Sequence, residues 1–339
     1  MNILITGGAG YIGSHVAKQL LENTGYSISI LDNLSTGSEK TLQTLEQIRG
    51  FSFFEIDLKE ESKVADILKT NKIDTILHFA ASIVVPESVQ DPLKYYLNNT
   101  INTTQLIKNA LSNNVKRFVF SSTAAVYGEP TNANSQGIHE GTPTTPINPY
   151  GRSKLMSEMV LQDAARICPD FKYIIFRYFN VAGADMYYEN GILSPRIGQS
   201  FPNATHLIQV ASECASGKRK QMQIYGDDYP TKDGTAVRDY IHIEDLADAH
   251  IRAISYLQKK ESDIFNIGYS KGYSVKEVIE TMRTASLQDI VAHLSARRQG
   301  DPAMLVSDSA RLREQMKWEP KYDDLGLICE SAYLWERTL

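Results

Sequence analysis

Hydrophobic positions in the first half of the chain fall into short β-branched runs separated by stretches of helical periodicity. A helix is predicted after Tyr11, and the runs predict strands at residues 2–6, 27–31, 51–56, 75–79, 117–120 and 172–176. Strands that alternate with helices are typical of a doubly wound parallel sheet with helices on both faces. We therefore expect an α/β protein.

The second half of the chain no longer alternates in this way. Residues 186–202 are rich in Tyr, Asn, Gly and Pro and predict loops. Helical periodicity returns at residues 243–256, and a strand is predicted at 263–267. Because these elements fit the first sheet, we expect two interleaved lobes: a sheet lobe of residues 1–179 with 236–268, and a smaller mixed α/β lobe of residues 180–235 with 269–339.

The composition narrows the class of partner. Of 339 residues, 42% are hydrophobic and 22% are charged, which is typical of a folded globular protein. The formal net charge of -5 gives no long-range attraction for nucleic acid or for an anionic membrane. We expect a small-molecule partner, with no nucleic acid and no membrane.

Cysteine usage and the lengths of apolar runs indicate the compartment. Cys168, Cys214 and Cys329 stand far apart, in no metal or redox spacing, and do not suggest a disulfide framework. The apolar start of the chain is too short for a signal peptide, and no uncharged apolar run approaches the roughly 18 residues of a membrane helix. These features favour a cytoplasmic protein.

Histidines and basic runs add no further chemistry. Lys218-Arg219-Lys220 indicates a solvated helix end. We expect no metal site, because the histidines form no cluster with Cys or acidic residues at the spacing of metal ligands. The histidines are His15, His78, His139, His206, His242, His250 and His293.

A glycine cluster follows the first strand. Gly7, Gly10 and Gly13 lie three apart where a strand turns into a helix. Glycines let the backbone approach a pyrophosphate, and the helix N-terminus offers N–H groups to it. Asp32 ends the second strand, where an acid bonds the adenosine ribose, and the adjacent Asn33 cannot neutralise a 2′-phosphate. The motif predicts a Rossmann-like site for NAD rather than NADP.

A tyrosine and a lysine are placed for proton transfer. Tyr150 and Lys154 stand four residues apart, on one face of a helix predicted to start after Pro149. A neighbouring ammonium and an oxidised nicotinamide both favour the phenolate, and so lower the pKa of a tyrosine from about 10 toward neutrality. Thr123 lies just beyond the carboxyl end of the strand predicted at 117–120, where parallel sheets bind ligands. We expect Tyr150 to act as a general base while Thr123 bonds the reacting oxygen.

These residues belong to a longer set of motifs. The set comprises GGAGYIG at 7–13, DNL at 32–34, HFAA at 78–81, SSTAAVYGEP at 121–130, NPYGRSK at 148–154, RYFNVAGA at 177–184, DDYPTKDGTAVRDYIHIEDLADAH at 227–250 and RRQGDP at 297–302. It resembles the extended short-chain dehydrogenases and, within them, the UDP-galactose 4-epimerases. The resemblance spans nearly the whole chain.

The resemblance implies that Thr123, Tyr150 and Lys154 are the catalytic trio of an enzyme that interconverts UDP-glucose and UDP-galactose. In that family the tyrosine takes the proton of the sugar 4-hydroxyl while the hydride at carbon 4 moves to NAD. The resulting 4-ketose rotates and receives the hydride on its other face. Because the cofactor is regenerated in each turnover, NAD is expected to stay tightly bound.

The resemblance also implies the cofactor contacts. Ile83 stands where many relatives carry a lysine near the pyrophosphate, so that charge is missing, and Asn98 can alternatively be a turn residue. Lys154 is also expected to contact the nicotinamide ribose. The implied contacts are Gly7, Gly10, Tyr11, Ile12, Gly13, Asp32, Asn33, Leu34, Ser35, Thr36, Gly37, Asp57, Leu58, Phe79, Ala80, Ala81, Ser82, Ile83, Asn98 and Phe179.

For the uridine diphosphate, the resemblance implies residues of the second half of the chain. Arg238 and Arg298 match phosphate-binding arginines, whose planar forks suit phosphate oxygens, and Asp301 is implied for the uridine ribose. Tyr225 offers an aromatic face near the uracil. The other implied positions are Asn180, His206, which can alternatively be a surface histidine, Leu207 and Leu305.

Leu305 bears on the choice of sugar. It stands where epimerases restricted to glucose and galactose carry a bulky tyrosine. A smaller side chain leaves room for an acetamido group, so we expect UDP-N-acetylglucosamine and UDP-N-acetylgalactosamine to be interconverted as well. The alternative is that loop shifts fill the space and leave specificity unchanged.

Other functions share part of the pattern. A nucleotide-sugar dehydratase needs acid and base residues after the strand-end threonine, and Ala124 and Ala125 cannot move a proton. A UDP-glucuronate 4-epimerase or a decarboxylase stays open, because the sequence does not show what binds carbon 6. A non-catalytic NAD-binding regulator has no need of Tyr150 and Lys154.

A dimer contact is implied by the resemblance alone. A helical hairpin between residues 90 and 110, with the helix of Tyr150, matches the four-helix dimer contact of this superfamily. We expect a homodimer.

Overall fold

The computed structural model describes residues 1–130, 137–189, 192–201, 205–298 and 301–339. These residues divide into two units. The first unit comprises Met1–Gly128, Pro143–Arg177 and Ala247–Phe265. The second unit comprises Glu129–Thr142, Tyr178–Leu246 and Asn266–Leu339.

The strands in chain order are β1 (Asn2–Thr6), β2 (Ser27–Asp32), β3 (Ser52–Glu55), β4 (Thr75–His78), β5 (Arg117–Thr123), β6 (Lys172–Tyr178), β7 (Asn180–Ala182), β8 (Asp185–Glu189), β9 (Ile192–Ile197), β10 (Met222–Tyr225), β11 (Val237–Arg238), β12 (Tyr240–His242), β13 (Asp263–Ile267), β14 (Tyr273–Ser274), β15 (Ala292–Ser295) and β16 (Met304–Leu305).

The helices are α1 (Tyr11–Asn23), α2 (Glu39–Ile48), α3 (Glu61–Thr70), α4 (Val85–Gln90), α5 (Pro92–Tyr95), α6 (Asn102–Ser112), α7 (Pro149–Ile167), α8 (Leu207–Ala215), α9 (Ile243–Leu257), α10 (Val275–Ser286), α11 (Ala310–Met316) and α12 (Leu325–Glu336). A π-helical segment, Tyr96–Ile101, joins α5 to α6, and a 3₁₀ turn, Ala124–Tyr127, follows β5. In the described ranges, no helix is long and apolar enough to cross a bilayer.

A seven-stranded sheet, in the order β13-β6-β5-β4-β1-β2-β3, carries most of the first unit. The pairs from β3 through β2, β1 and β4 to β5 are parallel. Ile3, Leu4 and Ile5 of β1 are all fully buried, as expected when helices cover both faces of a parallel sheet. The chain runs outward from β1 to β3 and then returns to β4, so β1 and β4 flank the switch point where such sheets bind ligands. The predicted Rossmann-like fold is confirmed.

The hydrophobic core of the first unit lies between this sheet and helices α3, α6 and α7. Their apolar positions recur every three or four residues, which places them on the faces that meet the strands. Its buried members include Leu4, Val64, Ile67, Ile76, Leu106, Ile107, Phe118, Leu161, Phe171 and Ile175. This packing fixes α7 against β5, the two elements on which the candidate catalytic residues lie.

Two strands extend further than their hydrophobic pattern predicts. β5 continues through Ser121, Ser122 and Thr123, and β6 continues through Arg177 and Tyr178. The side chains of Ser122, Thr123 and Arg177 find partners inside the protein, so the pattern of apolar residues does not reveal them.

The prediction of loops at residues 186–202 is wrong for most of that stretch. β8 and β9 form an antiparallel hairpin, with Tyr187 opposite Ser194. Tyrosine is favoured in strands, and a proline such as Pro195 is tolerated in a two-stranded hairpin, where each strand has an unpaired edge. Residues 190, 191 and 202 of the predicted loop lie outside the described residues.

The predicted helical hairpin between residues 90 and 110 is also wrong. Asp91 separates α4 from α5, and its carboxylate accepts a hydrogen bond from the Lys94 N–H at 3.2 Å. From Pro92 to Ser112 the chain is then helical without a break, through the π-helical segment. A short helix followed by one long helical run therefore replaces the hairpin.

The second unit is built from small sheets and a helical group. β11 pairs with β14 in antiparallel and with β16 in parallel orientation, while β7 pairs with β12 and β10 with β15. Helices α8, α10 and α12 pack against one another. α10 begins with a capping box in which Ser274 and Glu277 each bond the other's backbone N–H. The predicted helix at 243–256 and strand at 263–267 are confirmed as α9 and β13.

Candidate active site

The glycine turn between β1 and α1 brings bare backbone to the switch point of the sheet. Gly7 has a φ of +73°, and a Cβ there would lie 2.6 Å from the Ala80 nitrogen. A Cβ on Gly13 would lie 2.3 Å from the Gly7 carbonyl oxygen. Gly10 caps α1 without a side-chain hydrogen bond, so the first N–H groups of the helix face outward from a positive dipole end. This arrangement fits a pyrophosphate.

Asp32 lies at the end of β2, beside the same turn. Its carboxylate accepts from the Ala9 N–H at 3.0 Å and from the Leu34 N–H at 2.9 Å, so it holds the glycine turn and the next loop together. Burial raises the pKa of Asp32, while the backbone donors act against this rise. No Lys or Arg occurs among residues 33–37. The site thus offers a carboxylate and no cation, which fits the ribose of NAD.

The other implied cofactor residues of the first unit lie at the carboxyl ends of β1, β2, β3 and β4. Asn33 donates to the Asp57 carboxylate at 3.0 Å, and Leu58 is buried. Ile83 is 37% exposed. Tyr11 and Ile12 begin α1, Ser35, Thr36 and Gly37 follow β2, and Phe79, Ala80, Ala81 and Ser82 follow β4. Phe179 belongs to the second unit, where its N–H donates to the Ile267 carbonyl at 3.1 Å.

Asn98 is not a turn residue. It lies in the π-helical segment and donates to the Ser82 hydroxyl at 3.0 Å. Its neighbour Asn99, which the sequence analysis missed, is buried, bonds the Ser82 backbone and donates to the Ser153 hydroxyl at 3.0 Å. The two asparagines therefore fasten the loop after β4 to the helical run, and Asn99 joins both to α7.

Helix α7 carries the candidate catalytic pair. The Asn148 side chain accepts from the Gly151 N–H at 2.8 Å, and Pro149 occupies the first turn, which starts the helix at this point. Tyr150 and Lys154 then lie one turn apart on the same face. Tyr150 also meets the ring of Tyr95 edge-on, with 6.3 Å between ring centroids.

Thr123 hydrogen-bonds Tyr150, as expected for partners in proton transfer. Burial raises the pKa of Tyr150, and the hydrogen bond with Thr123 acts to lower it. The Thr123 oxygen also accepts from the Ala125 N–H at 3.1 Å, which leaves the hydroxyl hydrogen available to the phenol. The structure thus brings the predicted trio together around α7 and the end of β5.

Lys154 is a buried ammonium, only 3% exposed. Its Nζ donates to the Ser121 carbonyl at 2.8 Å and lies 5.0 Å from the centre of the Phe120 ring. Burial lowers the pKa of Lys154 to about 7, and the charge of Glu158 acts in the opposite direction. A lysine with this pKa can exchange protons near neutral pH.

Glu158 belongs to a buried polar group that sequence reasoning missed. It accepts from the Ser122 hydroxyl and pairs with Arg177 at 2.7 Å, and Arg177 also donates to the Tyr127 phenol at 3.0 Å. The spacing of Tyr150, Lys154 and Glu158, four residues each, was the signal that could have found it.

In the second unit, Arg238, Asp301 and Leu305 lie together. Arg238 Nη2 forms an ion pair with Asp301, and its Nη1 donates to the Val237 carbonyl at 2.7 Å. Leu305 is the β-sheet partner of Arg238 in the pairing of β11 with β16. The predicted phosphate and specificity positions therefore lie side by side in one small sheet, and the predicted ribose position pairs with the phosphate position.

Arg298, Tyr225 and His206 form a second set in this unit. The Arg298 guanidinium lies 3.9 Å from the centre of the Tyr225 ring. His206 caps α8 ahead of Leu207, and its Nδ1 lies 3.1 Å from Gln199 Nε2. Burial, followed by the charge of Arg298, lowers the pKa of His206. His206 is therefore not a freely exposed surface histidine.

Asn180, the last of the implied substrate residues, lies in the second unit. Asn180 begins β7, and its N–H donates to the Asp239 carbonyl at 2.9 Å. The motif at 297–302 falls partly outside the described residues, since 299 and 300 are not described. Lys218 follows α8, as the basic run predicts, and pairs with Glu336 at 2.8 Å. The described residues contain no group of three or more His, Cys, Asp or Glu that could hold a metal.

Comparison with known proteins agrees with this geometry. Residues 3–268 match the NAD dependent epimerase/dehydratase family. The chain is 44% identical over 338 residues to a UDP-glucose 4-epimerase of Azospirillum brasilense, with 99% of this chain and 92% of the relative covered. It is 43% identical over 339 residues to the UDP-glucose 4-epimerase of Lacticaseibacillus casei, with 100% and 97% covered.

Solved structures with the same fold include two epimerases. One is the UDP-Glc/GlcNAc 4-epimerase of Campylobacter jejuni, at 53% identity and a TM-score of 0.86, with 100% of this chain and 99% of that chain covered. The other is the UDP-glucose 4-epimerase of Bifidobacterium longum in complex with NAD+ and UDP, at 35% identity and a TM-score of 0.92, with 100% and 98% covered. With its glycine turn, its Asp32 carboxylate and its Thr123–Tyr150–Lys154 trio, the chain belongs to the NAD dependent epimerase/dehydratase family.

Proposed function

We propose that this protein is a UDP-hexose 4-epimerase that interconverts UDP-glucose and UDP-galactose with NAD kept bound between turnovers. The observation that carries the proposal is the contact of Tyr150 with Thr123, one turn from the buried Lys154 ammonium. Such a group can remove a proton from a sugar hydroxyl and return it. Relatives named UDP-glucose 4-epimerase, at 40–44% identity over almost the full chain, supply the substrate class.

Tyr150 is the proposed base for the 4-hydroxyl. Its phenol has a raised pKa because of burial, so it needs positive charge nearby to ionise near neutral pH. Lys154 supplies part of that charge from one turn away. Thr123 can donate a hydrogen bond to the sugar 4-oxygen, the atom that Tyr150 also contacts, and so hold the reacting hydroxyl in line. The proton then returns from Tyr150 when the 4-keto group is reduced.

The glycine turn and Asp32 are the proposed holders of NAD. The turn offers N–H groups to the pyrophosphate, and Asp32 offers a carboxylate to the adenosine ribose. NAD, when bound, supplies the acceptor and donor of the hydride at carbon 4. Because Ile83 stands in place of a lysine, the backbone N–H groups of the glycine turn are proposed to make the contacts with the pyrophosphate. We assign NAD binding to the predicted lobe of residues 1–179 with 236–268.

The second unit is proposed to bind the uridine diphosphate. Arg238 and Arg298 provide planar guanidinium groups for phosphate oxygens, and Asp301 provides an acceptor for the ribose. Tyr225 already lies against Arg298, which holds that guanidinium in one plane. Tyr225, Arg298 and Asp301 fall in the predicted substrate lobe, residues 180–235 with 269–339, whereas Arg238 falls in the range 236–268 predicted for the sheet lobe.

N-acetylated sugars are proposed as further substrates because of Leu305. Its β-partner is Arg238, a proposed phosphate ligand, so Leu305 stands next to where the sugar diphosphate would lie. The Campylobacter jejuni relative, at 53% identity, is named a UDP-Glc/GlcNAc 4-epimerase. A side chain smaller than tyrosine at this position leaves room for an acetamido group.

The test is incubation of the purified protein, without added NAD, with UDP-galactose and separately with UDP-N-acetylgalactosamine, followed by chromatographic separation of the 4-epimers. Conversion of both supports the epimerase, the retained cofactor and the open pocket. Conversion of UDP-galactose alone contradicts the role of Leu305. If NAD is present and neither sugar reacts, the epimerase proposal is wrong for these substrates, and UDP-glucuronate is the next substrate to assay.

A homodimer is proposed through an apolar surface on the first unit. We call it the α4–α7 surface: Val89, Leu93, Leu97, Ile101, Met156 and Met159, all exposed. Leu93 is 69% and Met159 57% exposed, and clusters of this kind mark protein contacts. Light scattering should give a dimer mass for the native protein and a monomer mass for Leu97→Glu. Leu287→Glu, at an 87% exposed leucine of the second unit, is the control and should leave the dimer intact.

The proposed location is the cytoplasm. Cys168, Cys214 and Cys329 are all free thiols, which suits a reducing compartment. Fractionation of cells that produce the tagged protein tests this, and recovery in the membrane or secreted fraction contradicts it.

A further inference from the structure

Glu158 is a buried carboxylate on the same face of α7 as the catalytic pair. It is 0% exposed and lies one turn beyond Lys154 and two turns beyond Tyr150. Side chains four residues apart on a helix lie one above the other, so these three residues form a row. We call it the α7 row.

The α7 row is fastened to three consecutive residues of β5. Lys154 Nζ donates to the Ser121 carbonyl at 2.8 Å, and the Ser122 hydroxyl donates to Glu158 Oε1. Thr123, the next residue, hydrogen-bonds Tyr150. The contact between Ser122 and Glu158 therefore fixes the position of β5 between the two contacts that serve the reaction.

Arg177 of β6 extends this link beyond Thr123. Its Nη2 and Nε donate to the Glu158 carboxylate at 2.7 and 3.2 Å. Its Nη1 donates to the Tyr127 phenol at 3.0 Å, and the guanidinium lies 5.0 Å from the centre of that ring. Tyr127 ends the 3₁₀ turn that follows Thr123. The chain is thus held on both sides of Thr123 through one carboxylate.

Stability alone does not require this buried ion pair. Taking two charges out of water costs several kcal/mol each, and well-packed apolar residues of similar volume often replace such pairs at no loss. We infer that Glu158 is a positioning residue: through Ser122 and Arg177 it sets Thr123 against Tyr150, and its charge favours the protonated form of Lys154. The inference rests on the proposed function of Thr123, Tyr150 and Lys154.

The charges around Lys154 support this role. Burial lowers the pKa of Lys154, and Glu158 is the nearby negative charge that opposes this. His78 adds no charge beside Lys154, because burial lowers the pKa of His78 to about 3 and leaves it neutral. The titratable and charged groups of this region are Tyr150 and Glu158 on α7, His78 on β4, Tyr95 on α5, Tyr127 of the 3₁₀ turn, and Tyr173 and Arg177 on β6.

The first test is Glu158→Gln, which keeps an oxygen to accept from Ser122 but removes the negative charge. Without it, Lys154 and Tyr150 both lose protons more easily, so the pH profile of kcat/KM for UDP-galactose should move to lower pH by about one unit. A residue that merely stabilises the fold would leave the profile where it is.

The second test is Ser122→Ala, which keeps the charge and removes only the hydroxyl link. We expect kcat to fall roughly tenfold with KM unchanged, because the spacing of Thr123 and Tyr150 is loosened while substrate binding is not. The pH profile should stay in place. This small change also serves as the test where Glu158→Gln does not fold.

The matched control is Arg117→Met, at the opposite end of β5. It removes the ion pair of Arg117 with Asp74, whose atoms lie 3.3 Å apart. The melting temperature should fall while kcat and the pH profile stay those of the native protein. An unshifted profile in Glu158→Gln, or an unchanged kcat in Ser122→Ala, overturns the inference. A native protein inactive on every UDP-hexose contradicts the proposed function instead.

Discussion

The two units hold their candidate functional charges in different ways. In the first unit, the side chains of Glu158 and Arg177 are 0% and 5% exposed, and both are fixed by hydrogen bonds within the protein. In the second unit, Arg238 and Asp301 are 11% and 31% exposed, and Arg298 is exposed on the Tyr225 ring. Buried, fixed dipoles lower barriers because they need no reorganisation during the reaction, whereas an exposed arginine such as Arg298 contributes mainly to binding. We therefore expect changes in the first unit to alter kcat and changes in the second to alter KM.

The largest expected effect is that of Tyr150→Phe. It removes the only proposed base and keeps the ring against Tyr95, so kcat for UDP-galactose should fall roughly 1000-fold with little change in KM. Steady-state kinetics on protein with retained NAD measures it. Tyr26→Phe, at a partly exposed tyrosine on the loop before β2, should behave like the native protein. A tenfold or smaller loss in Tyr150→Phe would exclude it as the base.

Arg298→Ala should show the opposite pattern. Loss of charged hydrogen bonds to phosphate should raise KM for UDP-galactose roughly 10- to 100-fold, with kcat within about twofold of the native value. Arg337→Ala is the matched control, because Arg337 lies 5.8 Å from the centre of the Tyr333 ring in a similar pair. If kcat falls as much as KM rises, the division between the units does not hold.

Leu305→Tyr should separate the sugars. A bulky ring beside Arg238 should lower kcat/KM for UDP-N-acetylgalactosamine relative to UDP-galactose by roughly tenfold. Leu305→Met, of similar volume to leucine, is the control and should leave the ratio unchanged. An unchanged ratio in Leu305→Tyr would remove Leu305 from the specificity determinants.

The last expected effect is on stability rather than on rate, and it arises because His78 is buried without a charge in the first unit. His78 bonds Thr6 and Thr103, and burial lowers its pKa to about 3. An unfolded histidine has a pKa near 6.5, so the unfolded chain takes up a proton that the folded protein does not. This contribution to stability is complete above about pH 6.5 and is lost as pH falls toward 3, by up to about 1.4 kcal/mol per pH unit.

Urea unfolding between pH 7 and pH 5 measures this dependence. His78→Gln can still bond both threonines and should lose less stability over that interval than the native protein. His293→Gln, at an exposed histidine of the second unit, should keep the native slope. Equal slopes in all three proteins would contradict the assignment to His78.

The sheet of the first unit could be predicted because its strands are apolar on both faces and regularly spaced. The glycine turn, Asp32, Thr123, Tyr150 and Lys154 could be located because each stands at a fixed place relative to a strand end or helix start. The β8–β9 hairpin could not, because its Tyr, Asn and Gly residues are equally typical of loops. A motif therefore predicted a site when it stood at the end of a strand or the start of a helix, whatever its length.

The buried group of Ser122, Glu158 and Arg177 could not be predicted from apolar periodicity. Each is a polar residue in a position that the pattern assigns to the surface or to a strand end. Their burial depends on partners up to 55 residues apart in sequence, as Ser122 and Arg177 are, joined only through Glu158. Tertiary packing brings such partners together, so a short stretch of sequence does not reveal the pairing.

The π-helical segment has a consequence for insertions and deletions. In an α-helix, consecutive side chains point about 100° apart, and a wider turn brings neighbours closer in direction. Asn98 and Asn99 can therefore both reach Ser82, one at its hydroxyl and one at its backbone. Removal of a single residue from Tyr96–Ile101 would restore the regular α-helix and turn one asparagine away. A one-residue gap here would therefore release the loop that follows β4.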